Sequence, residues 1–115
     1  MTLVRALSST LTLDSAIGVL AVTIYTARGL KNPDKFSGTP DPYIVLSINS
    51  GRELARTEIY PSTTNPRFNE TKMLLINSLN DALSFQVFDY NEIRKDKLLG
   101  TANFDLKSLE EEQMK

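Results

Sequence analysis

The sequence predicts an all-β protein folded as an antiparallel sandwich, and three observations support this. Short apolar stretches rich in β-branched and aromatic residues recur at regular spacing along the chain. Clusters of Gly, Pro, Asn, Asp and Ser separate them, and no long helical period interrupts them. Strands with this spacing and these boundaries are typical of a sandwich and not of an α/β protein.

Six strands are predicted in chain order. The first, residues 17–27, is dominated by β-branched and aromatic residues and puts Leu20, Val22 and Ile24 on one face. The next five are predicted from the same alternation, each bounded by turn residues: residues 43–48, 53–60, 68–76, 82–90 and 98–106. Their expected core side chains are Ile44, Leu46, Ile48, Leu83, Phe85, Val87, Ala102, Phe104 and Leu106.

Two terminal segments flank the predicted domain, which spans residues 15–109. Residues 1–14 alternate in polarity and fit an accessory strand, a frayed helix or a linker, and the sequence leaves these three readings open. Residues 110–115 belong to an acidic stretch that we expect to begin a helical or disordered connection.

Composition limits the classes of function. A chain of 115 residues with 41% hydrophobic and 23% charged residues fits one soluble domain. Its net charge of −1 does not favour nucleic acid as a partner. The absence of Cys and His removes thiol nucleophiles, zinc–thiolate sites and imidazole bases, so no enzyme is expected. No apolar run approaches the roughly 20 residues of a membrane span, so any membrane contact would be peripheral.

The connection after the first strand is acidic at both ends. Asp34 and Asp41 bracket it, Gly38 supplies a permissive backbone, and Pro40 and Pro42 restrict φ on either side of Asp41. Carboxylates that converge repel each other unless a hard cation such as Ca²⁺ lies between them. The alternative is that the aspartates hydrogen-bond to turn backbone, as Asp commonly does.

A second charged loop, residues 90–97, follows the fifth predicted strand. Because connections collect at the two ends of a sandwich and both loops have the same parity, they are predicted to share one end. The candidate ligands of a calcium-type site there are Asp34, Asp41, Asp89, Asn91 and Asp96.

Four motifs, in this order, resemble those of a C2 domain: DPY at residues 41–43, TNPRFNE at 64–70, VFDYN at 87–91 and LLG at 98–100. The resemblance covers residues 17–109. With the leading segment IGVLAVTIYTARGL, the chain is similar to the C2 domains of tricalbins and extended synaptotagmins.

The resemblance implies an eight-stranded Greek-key sandwich that binds phospholipid, with calcium between its apical loops. It assigns Asp34, Asp41 and Asp89 to ligand positions. Asn91, however, stands where the family has a second aspartate, and Asp96 falls one position early, with Lys97 in the usual place. The spacing from Asp34 to Asp41 is also one residue longer than usual. We therefore expect one weakened calcium site and keep calcium-independent binding as an open alternative.

Both loops carry an apolar residue among charges. Phe36 and Ile93 are candidate membrane wedges, although either could instead fold back onto the sandwich edge. The neighbouring cations expected to contact the membrane are Lys35, Arg94 and Lys95, with Lys97 nearby.

The resemblance also implies a role and a second lipid site. The expected role is docking onto anionic phospholipid at the cytoplasmic face of endoplasmic reticulum–plasma membrane contact sites, within a protein that tethers membranes or moves lipid between them. The alternative is a calcium-independent interaction or dimerisation module. The family's basic face would contain Arg52, Arg56 and Lys72, but Glu58 intrudes there, so phosphoinositide selectivity is not expected.

Counted against the family, the chain lacks the last two of eight strands. The unpaired edges that this leaves have three outcomes: residues 1–13 fill a gap, two chains pair or exchange strands as a homodimer, or the fragment stays truncated.

Overall fold

The computed structural model describes residues 2–4, 11–14, 17–31, 38–49 and 51–108. These residues form eight strands: β1 Thr2–Val4, β2 Leu11–Asp14, β3 Ile17–Arg28, β4 Pro42–Ile48, β5 Arg52–Arg56, β6 Arg67–Ile76, β7 Ala82–Asp89 and β8 Lys97–Asp105. In this part of the chain, no helix combines the length and apolar character that crossing a bilayer requires.

The strands form two antiparallel sheets. In the first, β3 pairs with β6 along one edge and with both β1 and β2 along the other. In the second, the order is β5-β4-β7-β8. The chain crosses between the sheets after β3, after β5 and after β6. The predicted all-β antiparallel sandwich is confirmed.

One hydrophobic core lies between the sheets. Leu20, Val22 and Ile24 are fully buried, as the alternation predicted. The predicted core positions on β4 and β7, and Leu106 after β8, are also buried, while Ala102 and Phe104 pack against the core from partly buried positions. The period of two therefore oriented these strands correctly.

β4 departs from the alternation because both of its faces are buried. The sequence predicted burial only for Ile44, Leu46 and Ile48. On the opposite face, Tyr43 stacks on Phe88 with ring centroids 5.6 Å apart. The guanidinium carbon of Arg56 lies 5.5 Å from the centre of the Tyr43 ring. Side chains from β5 and β7 therefore cover this face of the central strand.

β5 ends at Arg56, four residues before the predicted end of this strand. The amide of Ile44 donates to Oγ1 of Thr57 at 2.9 Å, so a hydroxyl takes a position that a backbone carbonyl holds in a regular ladder. The amide of Tyr60 still donates to the carbonyl of Pro42 at 2.9 Å. Residues 57–60 therefore follow β4 without continuing the strand.

The first 14 residues contribute two short strands to the edge of β3. Leu3 pairs with Ala27, and Thr12 pairs with Val19. β1 and β2 therefore pair with the two ends of one edge of β3, at Thr26–Arg28 and at Ile17–Leu20. The expectation for residues 110–115 lies outside the described residues.

Neighbouring leucines on β6 provide a test of its orientation. Leu74 is 2% exposed, whereas Leu75 is 64% exposed. Leu74→Ala should lower the free energy of unfolding by about 2–5 kcal/mol because it leaves a cavity in the core. Leu75→Ala should change it by about 0.5 kcal/mol or less. Urea denaturation of both variants measures the difference, and equal effects would contradict this orientation of β6.

Candidate functional site

The acidic end of β4 and the acidic end of β7 lie side by side. Pro42 pairs with Asp89 in the register of the two strands. The amide of Asp41 donates to Oδ1 of Asp89 at 2.9 Å, and the amide of Tyr90 donates to the carbonyl of Asp41 at 3.0 Å. The structure therefore brings Asp41 and Asp89 together at one end of the sandwich, which we call the loop pole. Asp34, Lys35 and Phe36 lie outside the described residues.

A shallow cavity of about 200 Å³ opens between these two aspartates. Thr39, Tyr90, Asn91, Glu92 and Ile93 complete its wall. The cavity therefore joins the end of the first acidic connection to the start of the second.

The β7–β8 loop is closed by its own side chains. Oδ1 of Asn91 accepts hydrogen bonds from the amides of Ile93 and Arg94, at 3.0 and 2.9 Å. The amide of Asn91 donates to Oδ1 of Asp96 at 2.9 Å. The hydroxyl of Tyr43 donates to Oδ2 of Asp96. Asp96 therefore joins the two ends of the loop and attaches the loop to β4.

Tyr43 is held as a proton donor in this arrangement. Burial, and then the hydrogen bond to Asp96, raises the pKa of Tyr43 to about 12. Its phenol therefore keeps its proton throughout the physiological range.

Ile93 extends from the tip of the loop. Its side chain is 93% exposed, and Glu92, Arg94 and Lys95 beside it are exposed as well. Of the two orientations considered, the structure has Ile93 pointing away from the sandwich edge. Single exposed apolar side chains are common on protein surfaces, so it is the position of Ile93 at the tip of a charged loop that makes it a candidate membrane contact.

The described residues do not by themselves fit a calcium site. Calcium takes six to eight oxygen ligands. Within the described ranges, no three acidic side chains come together as metal ligands. Both carboxylate oxygens of Asp96 and the amide oxygen of Asn91 already accept hydrogen bonds. Oδ1 of Asp41 likewise accepts from the amide of Ser62 at 2.8 Å.

The expected basic face contains acidic side chains beside its cations. Arg56 donates through Nε and Nη2 to the carboxylate of Glu53, at 2.9 and 2.7 Å. This bond lowers the pKa of Glu53. Nζ of Lys72, on the other sheet, lies 3.2 Å from Glu70. Arg52 is exposed at the start of β5. Two of the three cations are therefore paired with an acid.

Residues 64–70, the TNPRFNE segment, form hydrogen bonds with chain segments that lie next to the loop pole. Oδ1 of Asn65 accepts from the amide of Gly29, whose φ is +64°, at 2.9 Å. The amide of Leu30 donates to the carbonyl of Thr64 at 3.0 Å. The carboxylate of Glu70 accepts from the amide of Glu58 at 3.1 Å and from the hydroxyl of Tyr60 at 3.0 Å.

Sequence reasoning did not assign a role to Tyr43 or to this supporting segment. Their motifs were visible, since DPY and TNPRFNE carried the resemblance. What the motifs could not reveal was that their side chains would bond mainly to backbone and loop groups.

Comparisons with known proteins agree with this geometry. A family model described as the C2 domain matches residues 18–115. Tricalbin-3 of Saccharomyces cerevisiae is 46% identical over 98 residues, and the match covers 82% of this chain. It covers only 6% of Tricalbin-3, so the chain spans a small part of that relative.

Two solved structures share the fold. A C2 domain of plant Extended Synaptotagmin 1 superposes with a TM-score of 0.71 and 22% identity, covering 82% of this chain and 72% of that one. A C2 domain of RIM from Drosophila gives a TM-score of 0.68 and 23% identity, covering 84% and 82%. The chain belongs to the C2 domain family, and within it resembles the C2 domains of tricalbins and extended synaptotagmins.

Proposed function

We propose that this chain is a peripheral membrane-binding module whose loop pole docks onto anionic phospholipid. The observation that supports this best is the 93% exposure of Ile93 at the tip of a loop that also carries exposed cations. The module acts by binding, and no catalytic step is assigned to it.

The free energies of the two contributions are compatible with weak, reversible docking. Full burial of an isoleucine in the acyl region contributes roughly 1.5–3 kcal/mol. Arg94, Lys95 and Lys97 are exposed in or beside the loop and add about 1 kcal/mol each near an anionic surface. A total of about 5 kcal/mol corresponds to an affinity slightly tighter than 1 mM. Such a module acts best alongside other membrane-binding parts of a longer protein.

The acidic residues of the loop pole oppose docking. Asp41 and Asp89 lie beside the cavity and repel anionic headgroups unless a cation is bound. Calcium held between the loops stays an alternative prediction, because the described oxygens do not complete its coordination. We therefore propose that basal docking needs no calcium. Asp34, Lys35 and Phe36 stay predictions.

The parent context is proposed from the relatives. Similarity to tricalbins and extended synaptotagmins suggests a protein that tethers membranes or moves lipid between them. The corresponding location is the cytoplasmic face of membranes at contacts between the endoplasmic reticulum and the plasma membrane.

A second candidate function is protein interaction or homodimerisation through a strand edge. Among the described strands β6 pairs only with β3, and its residues Met73 and Leu75 are 66% and 64% exposed, which supports this alternative. They lie near the end of β6 that is remote from the loop pole, so the two candidates use different surfaces.

Ile93→Ala tests the proposed membrane wedge. Because Ala buries much less apolar area, affinity for phosphatidylserine–phosphatidylcholine vesicles should fall roughly tenfold. Leu75→Ala is the control, since it truncates an exposed apolar side chain far from the pole and should leave the affinity unchanged. Vesicle co-sedimentation measures both variants. Equal affinity of Ile93→Ala and the unsubstituted chain would exclude insertion of this tip. If the unsubstituted chain forms a dimer and does not bind vesicles, the second candidate function is favoured.

Lys95→Gln tests the electrostatic contribution. Loss of one cation near an anionic surface should weaken vesicle binding roughly fivefold at low salt, and by less as salt screens the interaction. Lys107→Gln makes the same charge change beyond β8, at the end of the sandwich opposite the pole, and should have little effect. Binding measured over a series of salt concentrations checks this. Equal effects of the two variants would show that net charge, and not the loop, attracts the membrane.

Removal of calcium tests the basal mode. Affinity for the same vesicles in the presence of a chelator should stay within about twofold of that with calcium, since the free-energy contributions assigned above need no ion. Calorimetric titration of calcium with and without vesicles provides a second measurement. A large gain of affinity with calcium that Asp41→Asn abolishes would contradict calcium-independent docking and identify Asp41 as a ligand.

A further inference from the structure

We infer that Asp96 is a positioning residue that, through Tyr43 and Asn91, fastens the β7–β8 loop and holds Ile93 in its outward orientation without a bound cation. The membrane consequence rests on the proposed function. The fastening itself rests on hydrogen bonds within the chain.

The first residue in this series of hydrogen bonds is Tyr43 on β4. Tyr43 is nearly buried, its ring stacks on Phe88, and the guanidinium of Arg56 lies over it. Arg56 is in turn held by two hydrogen bonds to Glu53. The Tyr43 hydroxyl is therefore a donor fixed to the central strand of its sheet.

Asp96 connects the Tyr43 hydroxyl to the β7–β8 loop. Its Oδ2 accepts from the Tyr43 hydroxyl, and its Oδ1 accepts from the amide of Asn91. Hydrogen bonds to an ionised acceptor are the stronger kind. Asp96 therefore joins the two ends of the loop to a strand that lies 53 positions earlier in the sequence.

Asn91 connects Asp96 to the tip of the loop. Its side-chain oxygen accepts from the amides of Ile93 and Arg94, so the turn that raises Ile93 is closed by Asn91. Asparagine satisfies backbone amides in this way in many turns. Three successive side chains therefore connect the sheet to the exposed apolar tip.

This assignment differs from the role expected of Asp96 and Asn91 as ligands. If the Asp96 carboxylate turned towards a cation, the Tyr43 hydroxyl and the Asn91 amide would lose their acceptor. A partly buried donor without an acceptor is costly. Both carboxylate oxygens of Asp96 and the side-chain oxygen of Asn91 thus already accept hydrogen bonds from groups in or beside the loop.

Asp96→Ala, with Glu92→Gln as its control, separates positioning from charge. Both variants remove one negative charge from the same loop, so charge alone should make both bind anionic vesicles more tightly. Among the described residues, none forms a hydrogen bond with the Glu92 side chain. We expect Glu92→Gln to bind phosphatidylserine–phosphatidylcholine vesicles slightly more tightly, and Asp96→Ala to bind them several-fold more weakly because the tip is no longer held.

Hydrogen exchange gives a second readout that needs no membrane. In Asp96→Ala, the amides of Asn91, Ile93 and Arg94 should exchange roughly tenfold faster, while amides of the β4–β7 ladder stay protected. Asp96→Asn keeps one acceptor and should restore part of the protection, and Tyr43→Phe should lose part of it. These two variants also provide the test if Asp96→Ala fails to fold.

The outcomes distinguish the two proposals. Faster exchange in Asp96→Ala together with no vesicle binding by the unsubstituted chain would overturn the proposed function and leave the fastening intact. Vesicle binding by the unsubstituted chain, together with matching exchange and matching affinity for Asp96→Ala and Glu92→Gln, would overturn the fastening.

Discussion

The antiparallel pairing of β4 with β7 is the constraint on which the loop pole depends. Its register places Pro42 opposite Asp89, and the hydrogen bond from the Asp41 amide to Asp89 follows from this. A slip of one residue would turn each side chain to the opposite face and move Val87 and Phe85 out of the core. The burial of these two residues therefore fixes the position of the acidic pair at the surface.

The motifs that identify the family mostly perform structural work in this chain. The side chain of Asn65 accepts a hydrogen bond from the amide of Gly29, and that of Asp41 accepts one from the amide of Ser62. The carboxylate of Glu70 accepts from the amide of Glu58 and from the hydroxyl of Tyr60. Backbone amides that lie outside the regular ladder find acceptors in such side chains. A polar residue within a family motif is thus not by itself a ligand. Its hydrogen-bond partners decide which of the two roles it can perform.

Sequence periodicity was enough to predict the sandwich and most of its core. The alternation along β3, β4 and β7 identified side chains that are buried, because a period of two directly reflects the two faces of a strand. The parity of the connections also predicted that Asp41 and Asp89 would lie at the same end. These features depend on local pattern and on topology alone.

Other features needed the three-dimensional arrangement. The bond from Tyr43 to Asp96 depends on how the β7–β8 loop folds, and no local pattern encodes that path. β5 ends early because the hydroxyl of Thr57, in place of a backbone carbonyl, accepts the hydrogen bond from the amide of Ile44. Residues 57–60 nevertheless alternate in polarity like a strand. The burial of both faces of β4 depends on which large side chains its neighbours contribute. Each of these outcomes is set by contacts between distant residues.

Both ends of the connection between β3 and β4 form hydrogen bonds with the same short segment, residues 63–65. Gly29 and Leu30 bond to Asn65 and Thr64, while the carbonyl of Pro40 accepts from the amide of Thr63. Because the two bases are tied independently of the residues between them, lengthening the middle adds only a small closure entropy. An inserted residue can therefore alter the reach of this connection while the strands on either side keep their alignment.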